Sequence, residues 1–297
     1  MKEKVLYVEL PDGAKYRKAE LTESGKIAIS YIETCDCKHV ATQETKTASE
    51  EITPTPLIGG TNVYHKENGT NYWYCRIKDG RDEFMFLPFS DITEMDVMYE
   101  ANGKKRVFST TAQRNFRWNV LKAIETMPAE GFRWIPVYEP SMGENDEIQF
   151  VPGKDVLTKL DSYKWERSLR EYSPENESQE ASKTTYFLLL MRWLKDGVAT
   201  LEEIADDSEE IGHYWYSVNA NHHGLEKTGE REFGGLFGFV GNTYKEVKDS
   251  ESSSGFSRCG YCIDDSNVEV YPIADCHWIE FGYHACYGSV GLLELKK

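Results

Sequence analysis

The chain has 297 residues, of which 40% are hydrophobic, 13% aromatic and 28% charged. This content excludes a disordered chain, and the length suits two or three small domains. The 50 acidic and 34 basic residues give a net charge of -16. We therefore expect no binding to a nucleic-acid backbone, because phosphate contacts need clustered lysine and arginine. No apolar run approaches the roughly 20 residues of a membrane helix, so we expect no membrane insertion.

Residues 1–40 are predicted to form a small antiparallel β unit. Strand-like segments at 5–10, 15–21 and 27–32 are separated by turn residues. The first residues alternate like a strand and show no apolar signal core, so we expect no signal peptide and a location in the cytoplasm or on a virion. Residues 41–58 are rich in Thr, Glu, Ser and Pro and are predicted to be a linker, because this composition cannot bury a core.

Residues 59–150 are predicted to form an α+β domain. A hairpin is indicated by strands at 71–77 and 83–89 around Asp79-Gly80. A second hairpin is indicated around Asn102-Gly103, between residues 96–100 and 106–108. A helical period then runs over 111–127, and residues 131–138 return to extended character.

Residues 151–297 are predicted to form a second α+β domain. Helices are expected at 155–169, 184–195 and 201–210, and the second is apolar around most of its circumference, which predicts deep burial. The later part of the chain has strand-like segments separated by segments rich in Gly, Ser, Asp and Asn. The predicted strands are 214–218, 235–240, 268–271 and 290–295.

The most acidic stretch is 171–210, which contains 11 acidic and three basic residues. A solvated helix face and loop is the simpler interpretation. The alternative is an acidic intracellular inhibitor that mimics the phosphate surface of a nucleic acid.

Four of the seven cysteines lie close together near the C-terminus. An odd count without a signal peptide argues against a disulfide framework. Cys259 and Cys262 have the two-residue gap of a zinc site, which Cys276 and either Cys286 or His284 would complete. A zinc-stabilised domain is therefore an alternative. The unusual last gap favours unrelated thiols, so we expect no metal and no cofactor.

Templates for catalysis are missing from the sequence. It contains no Gly-x-Ser-x-Gly, no His-Glu-x-x-His and no Gly-x-x-x-x-Gly-Lys motif. We therefore expect a protein that is not an enzyme.

Residues 255–293 are rich in Tyr, Phe, Asp, His, Ser, Gly and Cys and contain no Lys, Gln, Met or Thr. This composition is typical of recognition surfaces, because tyrosine and tryptophan give large contact areas at low entropic cost. We predict that ligand-binding residues lie in this segment. They are Tyr261, Asp264, Asp265, Asn267, Tyr271, Asp275, His277, Trp278, Phe281, Tyr283, His284 and Tyr287.

The same segment resembles the variable segment of ligand-binding proteins that are diversified by diversity-generating retroelements. Those proteins, often from phages or gut bacteria, display the segment on a C-type-lectin-like fold at the end of the chain. Diversification at adenines yields residues such as Tyr, Asp, His and Cys but not Lys, Gln or Met, so the cysteines would need no metal. Residues 288–295 are similar to the family's constant final strand, and 232–236 echo its Arg-Gly-Gly-Trp-like stretch.

The resemblance implies a C-type-lectin-like domain over residues 151–297. It further implies a non-enzymatic protein that binds a protein or glycan ligand, as a phage receptor-binding or virion-displayed protein would. A homo-oligomer is compatible with this interpretation. The β units that precede the domain would then serve as stalk, spacer or attachment.

Overall fold

The chain folds into two compact units, Met1–Ile52 and Thr53–Lys297. The structure is a computed structural model that describes most of the second unit and one hairpin of the first. The described residues are 14–21, 27–33, 53–67, 70–158, 160, 162–208, 211, 227–230, 232–240, 243–252, 255–259, 272–278 and 289–296.

The first unit contains an antiparallel hairpin. Strand β1, Ala14–Leu21, pairs with β2, Ile27–Glu33, and the register shifts between Tyr16 and Lys18. The two strands predicted at 15–21 and 27–32 are thus confirmed. The strand predicted at 5–10 and most of the predicted linker lie outside the described residues.

The second unit begins with a four-stranded antiparallel sheet, in the order β3-β4-β5-β6, which we call the meander sheet. The predicted hairpin around Asp79-Gly80 is confirmed, and Lys78, Asp79 and Gly80 all have positive φ. Two helices lie between the third and fourth strands. The elements are β3 Thr61–Glu67, β4 Thr70–Ile77, β5 Asp82–Pro88, α1 Glu94–Met98, α2 Thr111–Glu125 and β6 Phe132–Pro136.

The second predicted hairpin, around Asn102-Gly103, is wrong in its first strand. Helix α1 occupies residues that were expected to be extended, and a single bridge between Tyr99 and Lys105 is all that remains of the pairing. Thr93 and Asp96 form a capping box, which satisfies the first free amides of a helix. This local cap therefore prevails over the strand propensity of the segment.

The remaining elements alternate short strands with helices, so the described part of the chain is α+β, as predicted. A 3-10 turn, Pro174–Asn176, precedes β9. The other elements are β7 Ser141–Met142, β8 Ile148–Gln149, α3 Ser162–Tyr172, β9 Gln179–Glu180, α4 Lys183–Asp196, α5 Leu201–Ala205, β10 Glu232–Phe233, β11 Leu236–Phe237, β12 Tyr244–Lys248, β13 Phe256–Cys259, β14 Cys276–Trp278, β15 Ser289–Gly291 and β16 Leu293–Glu294.

Helix boundaries differ from the sequence prediction mainly at α3 and α5. Helix α3 begins seven residues later than predicted, because Val156 bridges to Ser141 and the Leu157 amide donates to the Pro140 carbonyl. Helix α5 ends at Ala205 instead of near residue 210. The strands predicted at 214–218 and 268–271 lie outside the described residues.

The strand predicted at 235–240 is present only as β11, Leu236–Phe237, and a two-residue hairpin turn precedes it. Phe233 pairs with Leu236, and Gly234 and Gly235 both have positive φ, 57° and 86°. A Cβ on Gly235 would lie 2.6 Å from the Met85 sulfur, and one on Gly234 would overlap the Trp193 ring. The glycine pair is therefore required both by the turn and by the packing beneath it.

Helix α4 is the centre of the larger core. All its residues from Thr185 to Leu194 are buried, which confirms the predicted burial. It packs against α2, and the core around it also contains residues of the meander sheet and of β12. A second core surrounds Trp134 and Trp165. Both cores draw on residues before and after position 150, so the described residues show no break in packing there.

The second unit also includes the end of the predicted linker. Pro54 is buried and Leu57 is only 1% exposed. The Ile58 amide donates to the Asn176 side chain, and the Asn62 side chain donates to the Pro54 carbonyl. Residues 53–58 are thus packed against the domain.

Candidate functional site

The predicted ligand-binding residues lie mostly outside the described part of the chain. Asp275 is described in full, and His277 and Trp278 are described as backbone positions in β14. The other predicted residues, for which the structure gives no placement, are Tyr261, Asp264, Asp265, Asn267, Tyr271, Phe281, Tyr283, His284 and Tyr287.

A second four-stranded sheet, in the order β14-β13-β12-β15, carries both ends of the predicted segment. We call it the platform sheet. Strands β12, β13 and β14 pair antiparallel, and β15 pairs in parallel with β12. Residues 260–275 connect β13 to β14, and residues 279–288 connect β14 to β15. The two connections that hold the predicted site therefore start and finish on strands of this sheet.

A disulfide between Cys259 and Cys276 closes the longer connection. The two residues lie directly opposite each other in the β13–β14 pair, with Cα atoms 4.1 Å apart. This distance is close to that of a non-hydrogen-bonded antiparallel pair, where side chains approach most closely. The prediction that these thiols are unrelated is wrong for this pair, because strand pairing brings them together across 17 positions of sequence.

The chain is anchored again just before β14. The Tyr186 hydroxyl of α4 donates to the Ile273 carbonyl at 2.7 Å, and the Ile273 amide donates to the Ser208 hydroxyl at 2.9 Å. The Ala274 amide donates to the Ile204 carbonyl of α5. Ile273 is 1% exposed. These bonds fix the backbone that leads into β14 onto two helices, and no local sequence pattern pairs these residues.

Asp275 is half-buried and follows this anchored backbone directly. Its amide donates to the Pro272 carbonyl at 2.9 Å, which makes a tight turn before the disulfide-bonded Cys276. The single predicted site residue with a described side chain is therefore held at the base of the predicted segment.

A buried ion pair fixes the start of β12. The Lys245 ammonium donates to Glu139 at 2.9 Å, to the Thr243 hydroxyl at 2.7 Å, and to the carbonyls of Thr243 and Gly238. Burial lowers the pKa of Lys245 from its ordinary value, and Glu139 opposes this shift. The ammonium thus has acceptors on several sides, which makes it a structural group that joins Glu139, Gly238 and Thr243.

A second buried group lies next to the platform sheet, on β9. Glu180 is fully buried, and no described residue forms a hydrogen bond with its carboxyl oxygens. Desolvation, with the charge of Glu246 and a smaller effect of Glu166, raises its pKa well above the ordinary value, against the effect of Lys248. Burial of this carboxyl therefore favours its uncharged form.

In the described part of the acidic stretch, residues 171–208, the carboxylates do not form a continuous anionic face. Glu180 is buried, and Asp196 forms an ion pair with Arg192 at 3.0 Å. Glu203 belongs to the capping box of α5, and Asp206 accepts a hydrogen bond from Thr110 at the cap of α2. Several of these carboxylates therefore serve the packing and capping of helices, a role that neither the solvated face nor the nucleic-acid mimic predicts.

The zinc alternative loses two of its ligands in this structure. Cys259 and Cys276 are bonded to each other, so neither offers a thiolate to a metal. Within the described ranges, no group of three or more His, Cys, Asp or Glu side chains is placed to hold a metal ion. Cys262, His284 and Cys286 lie outside those ranges.

None of the helices in the described part of the chain is both long and apolar enough to span a membrane. Comparison of the sequence with protein-family models, with curated proteins and with solved structures gives no significant match.

Proposed function

We propose that this chain is a non-enzymatic binding protein that presents residues 260–288 to a protein or glycan ligand from a C-type-lectin-like domain. The observation that carries the proposal is the anchoring of this segment. Both of its connections begin and end on the platform sheet, and the Cys259–Cys276 disulfide closes the longer one. A diverse polar and aromatic segment on a fixed base is the arrangement that recognition loops need.

The base is supported by a well-packed framework. Val247, Cys259 and Val290, which belong to three strands of the platform sheet, are each at most 1% exposed. A Cβ on Gly291 would lie 3.0 Å from the Trp165 ring, so helix α3 packs closely against β15. A framework of this kind tolerates changes in the segments that it carries, because its own stability comes from contacts elsewhere.

The end of the chain supports the likeness to the retroelement-diversified family. Residues 288–295, on which part of that likeness rests, contain the strands β15 and β16. The first of these strands joins the platform sheet, and the second pairs with β9, which precedes helix α4. These two strands therefore link the platform sheet to β9.

The disulfide also favours one of the two expected locations. Disulfides persist in oxidising surroundings, including the surfaces of virions, and are rare in a reducing cytosol. Display on a particle outside the cell is therefore the location we propose for the mature protein, and a phage receptor-binding role fits it.

The experiment is a saturation-mutagenesis scan in which folding is read as protease resistance of the surface-displayed domain. We expect residues 260–271 and 279–287 to accept most substitutions, whereas Val247, Phe256 and Val290 accept only apolar ones. Glycan and protein arrays then compare the wild type with folded variants of the tolerant positions. Intolerance throughout residues 260–287 would show that the segment is core and would overturn the proposal.

A further inference from the structure

A wide groove formed by described residues lies away from the platform sheet. Its volume is about 940 Å³, and it lies between the end of α1, the turn at residues 99–107 and the connection from α4 to α5. None of its lining residues belongs to the platform sheet, and none is among the predicted ligand-binding residues. Its chemistry is therefore independent of the function proposed above.

Three large apolar side chains that line this groove are exposed to solvent. Met95, Tyr99 and Val107 are 63%, 37% and 72% exposed, and buried Leu194 also contributes to the lining. Among the described residues, seven large hydrophobic side chains are exposed, and these three all line the same groove. Clustered apolar side chains of this kind mark interaction sites more often than single ones do.

The groove also contains the only run of three consecutive cations in the sequence, Lys104, Lys105 and Arg106. No ion pair with a described residue neutralises either lysine, and both are exposed. The Arg106 Nη2 donates to the Tyr99 carbonyl at 3.3 Å, while its Nε is buried without a described acceptor. The guanidinium is thus partly desolvated without a direct carboxylate partner.

Three carboxylates line the groove, of which Glu202 is exposed and the other two are already engaged. Asp96 accepts hydrogen bonds from Thr93 and lies 3.3 Å from Lys195, and Glu100 accepts one from Asn102. Burial lowers the pKa of Arg106, and the charge of Glu100 only partly opposes this shift. The groove therefore offers unpaired cations beside apolar surface, on a chain whose net charge is -16.

We propose that this groove binds a peptide segment of a partner protein that carries carboxylates next to an aromatic or aliphatic side chain. A carboxylate would accept from the two exposed lysines, since charge-assisted bonds of this type are short and strong. The apolar side chain would pack on Met95, Tyr99 and Val107. A nucleic acid fits less well, because an extended polyanion meets the acidic remainder of the chain, whereas a short peptide meets the groove alone.

The experiment selects binders from a random dodecapeptide display library on the immobilised full-length protein. Enriched peptides should combine Asp or Glu with Phe, Leu or Trp. A fluorescent copy of one such peptide should bind at least tenfold more weakly to Lys104→Glu/Lys105→Glu and to Val107→Asp. It should bind equally to Lys154→Glu/Lys227→Glu, which reverses two exposed lysines outside the groove.

Matched melting temperatures would show that each variant folds. The proposal is overturned if the library gives no enrichment, if the enriched peptides lack acidic residues, or if they bind the groove variants and the control equally. Displacement of the peptide by a single-stranded DNA 12-mer at equal concentration would also overturn it, because it would identify the groove as a general polyanion site.

Discussion

The two four-stranded sheets of the second unit are built in different ways. The meander sheet joins β3, β4 and β5 through short connections, so these neighbouring strands are close in sequence. The platform sheet places the last strand, β15, beside the first, β12, and joins its strands through the 260–275 and 279–288 connections. Three strands of the meander sheet are held together by local connections. The platform sheet is held together by a disulfide, a parallel edge pair and contacts to helices.

We infer from this difference that the meander sheet mainly stabilises the fold, whereas the platform sheet carries the proposed binding segment. The meander sheet places large side chains such as Trp134 and Phe84 in the core, both with no exposed surface. The strands of the platform sheet carry buried residues, whereas the long connections between them are rich in polar and aromatic residues. The account therefore predicts large stability effects in the meander sheet and at the base of the platform sheet, and small ones in the connections between its strands.

The largest effect is expected for Trp134→Ala in β6. Removal of a fully buried indole leaves a cavity, and such changes cost about 3 to 5 kcal/mol of unfolding free energy. Trp118→Ala is the matched control, because Trp118 is 57% exposed on α2. Urea denaturation should show a change within about 0.5 kcal/mol for the control. Equal losses in both variants would contradict the assignment of Trp134 to the core.

The next effect is expected for Cys259→Ala/Cys276→Ala. A disulfide that closes a loop of about 15 residues contributes about 3 kcal/mol by restricting the unfolded chain. Dithiothreitol should lower the stability of a Cys75→Ala control, which retains the disulfide, by more than it lowers that of the double variant. Equal sensitivity of the two proteins to the reductant would show that the platform sheet does not depend on this bond.

A smaller effect is expected for Gly234→Ala. The substitution forces a positive φ on alanine and drives its Cβ into Trp193, which together should cost about 2 to 3 kcal/mol. Gly80→Ala separates the two causes, because Gly80 also has a positive φ but an added Cβ there meets nothing within 4 Å. The control should lose only about 1 kcal/mol. If Gly234→Ala and Gly80→Ala had the same denaturation midpoint, the clash with Trp193 would make no contribution to the loss of stability.

The smallest effect is expected at Glu180 and depends on pH. Burial raises its pKa in the folded protein, so its contribution to stability is complete below the unfolded pKa and declines as pH rises toward the folded value. Glu180→Gln should therefore gain about 1 kcal/mol over the wild type at pH 7 and little at pH 4. The exposed Glu144→Gln is the control, with no such difference. If the difference in unfolding free energy between the wild type and Glu180→Gln were the same at pH 4 and pH 7, the raised pKa of Glu180 would be refuted.

Local signals in the sequence predicted the elements that depend on neighbours in the chain. Asp79-Gly80 predicted the β4–β5 hairpin, and the apolar circumference of residues 184–195 predicted the burial of α4. The same approach failed for α1, where the Thr93 capping box prevailed over strand propensity. It also failed at Gly234-Gly235, because the need for glycine there comes partly from Trp193, 41 positions earlier.

The base of the candidate site could not be predicted, because it depends on contacts that are distant in sequence. The Cys259–Cys276 bond follows from strand register, which a list of cysteine positions does not contain. The bond from Tyr186 to the Ile273 carbonyl joins residues 87 positions apart. Composition identified the segment that connects these anchors, whereas only the fold shows how its ends are held.

The most direct test of the central claim is the melting temperature of Tyr261→Ser/Tyr283→Ser/Tyr287→Ser. These three tyrosines lie in the segments that the platform sheet carries, and the account assigns them to recognition. The variant should melt within about 2 °C of the wild type, a shift equivalent to less than roughly 1 kcal/mol for a domain of this size. A fall of about 10 °C or more would show that these side chains belong to the core, and would contradict the claim that this segment is a presented binding surface.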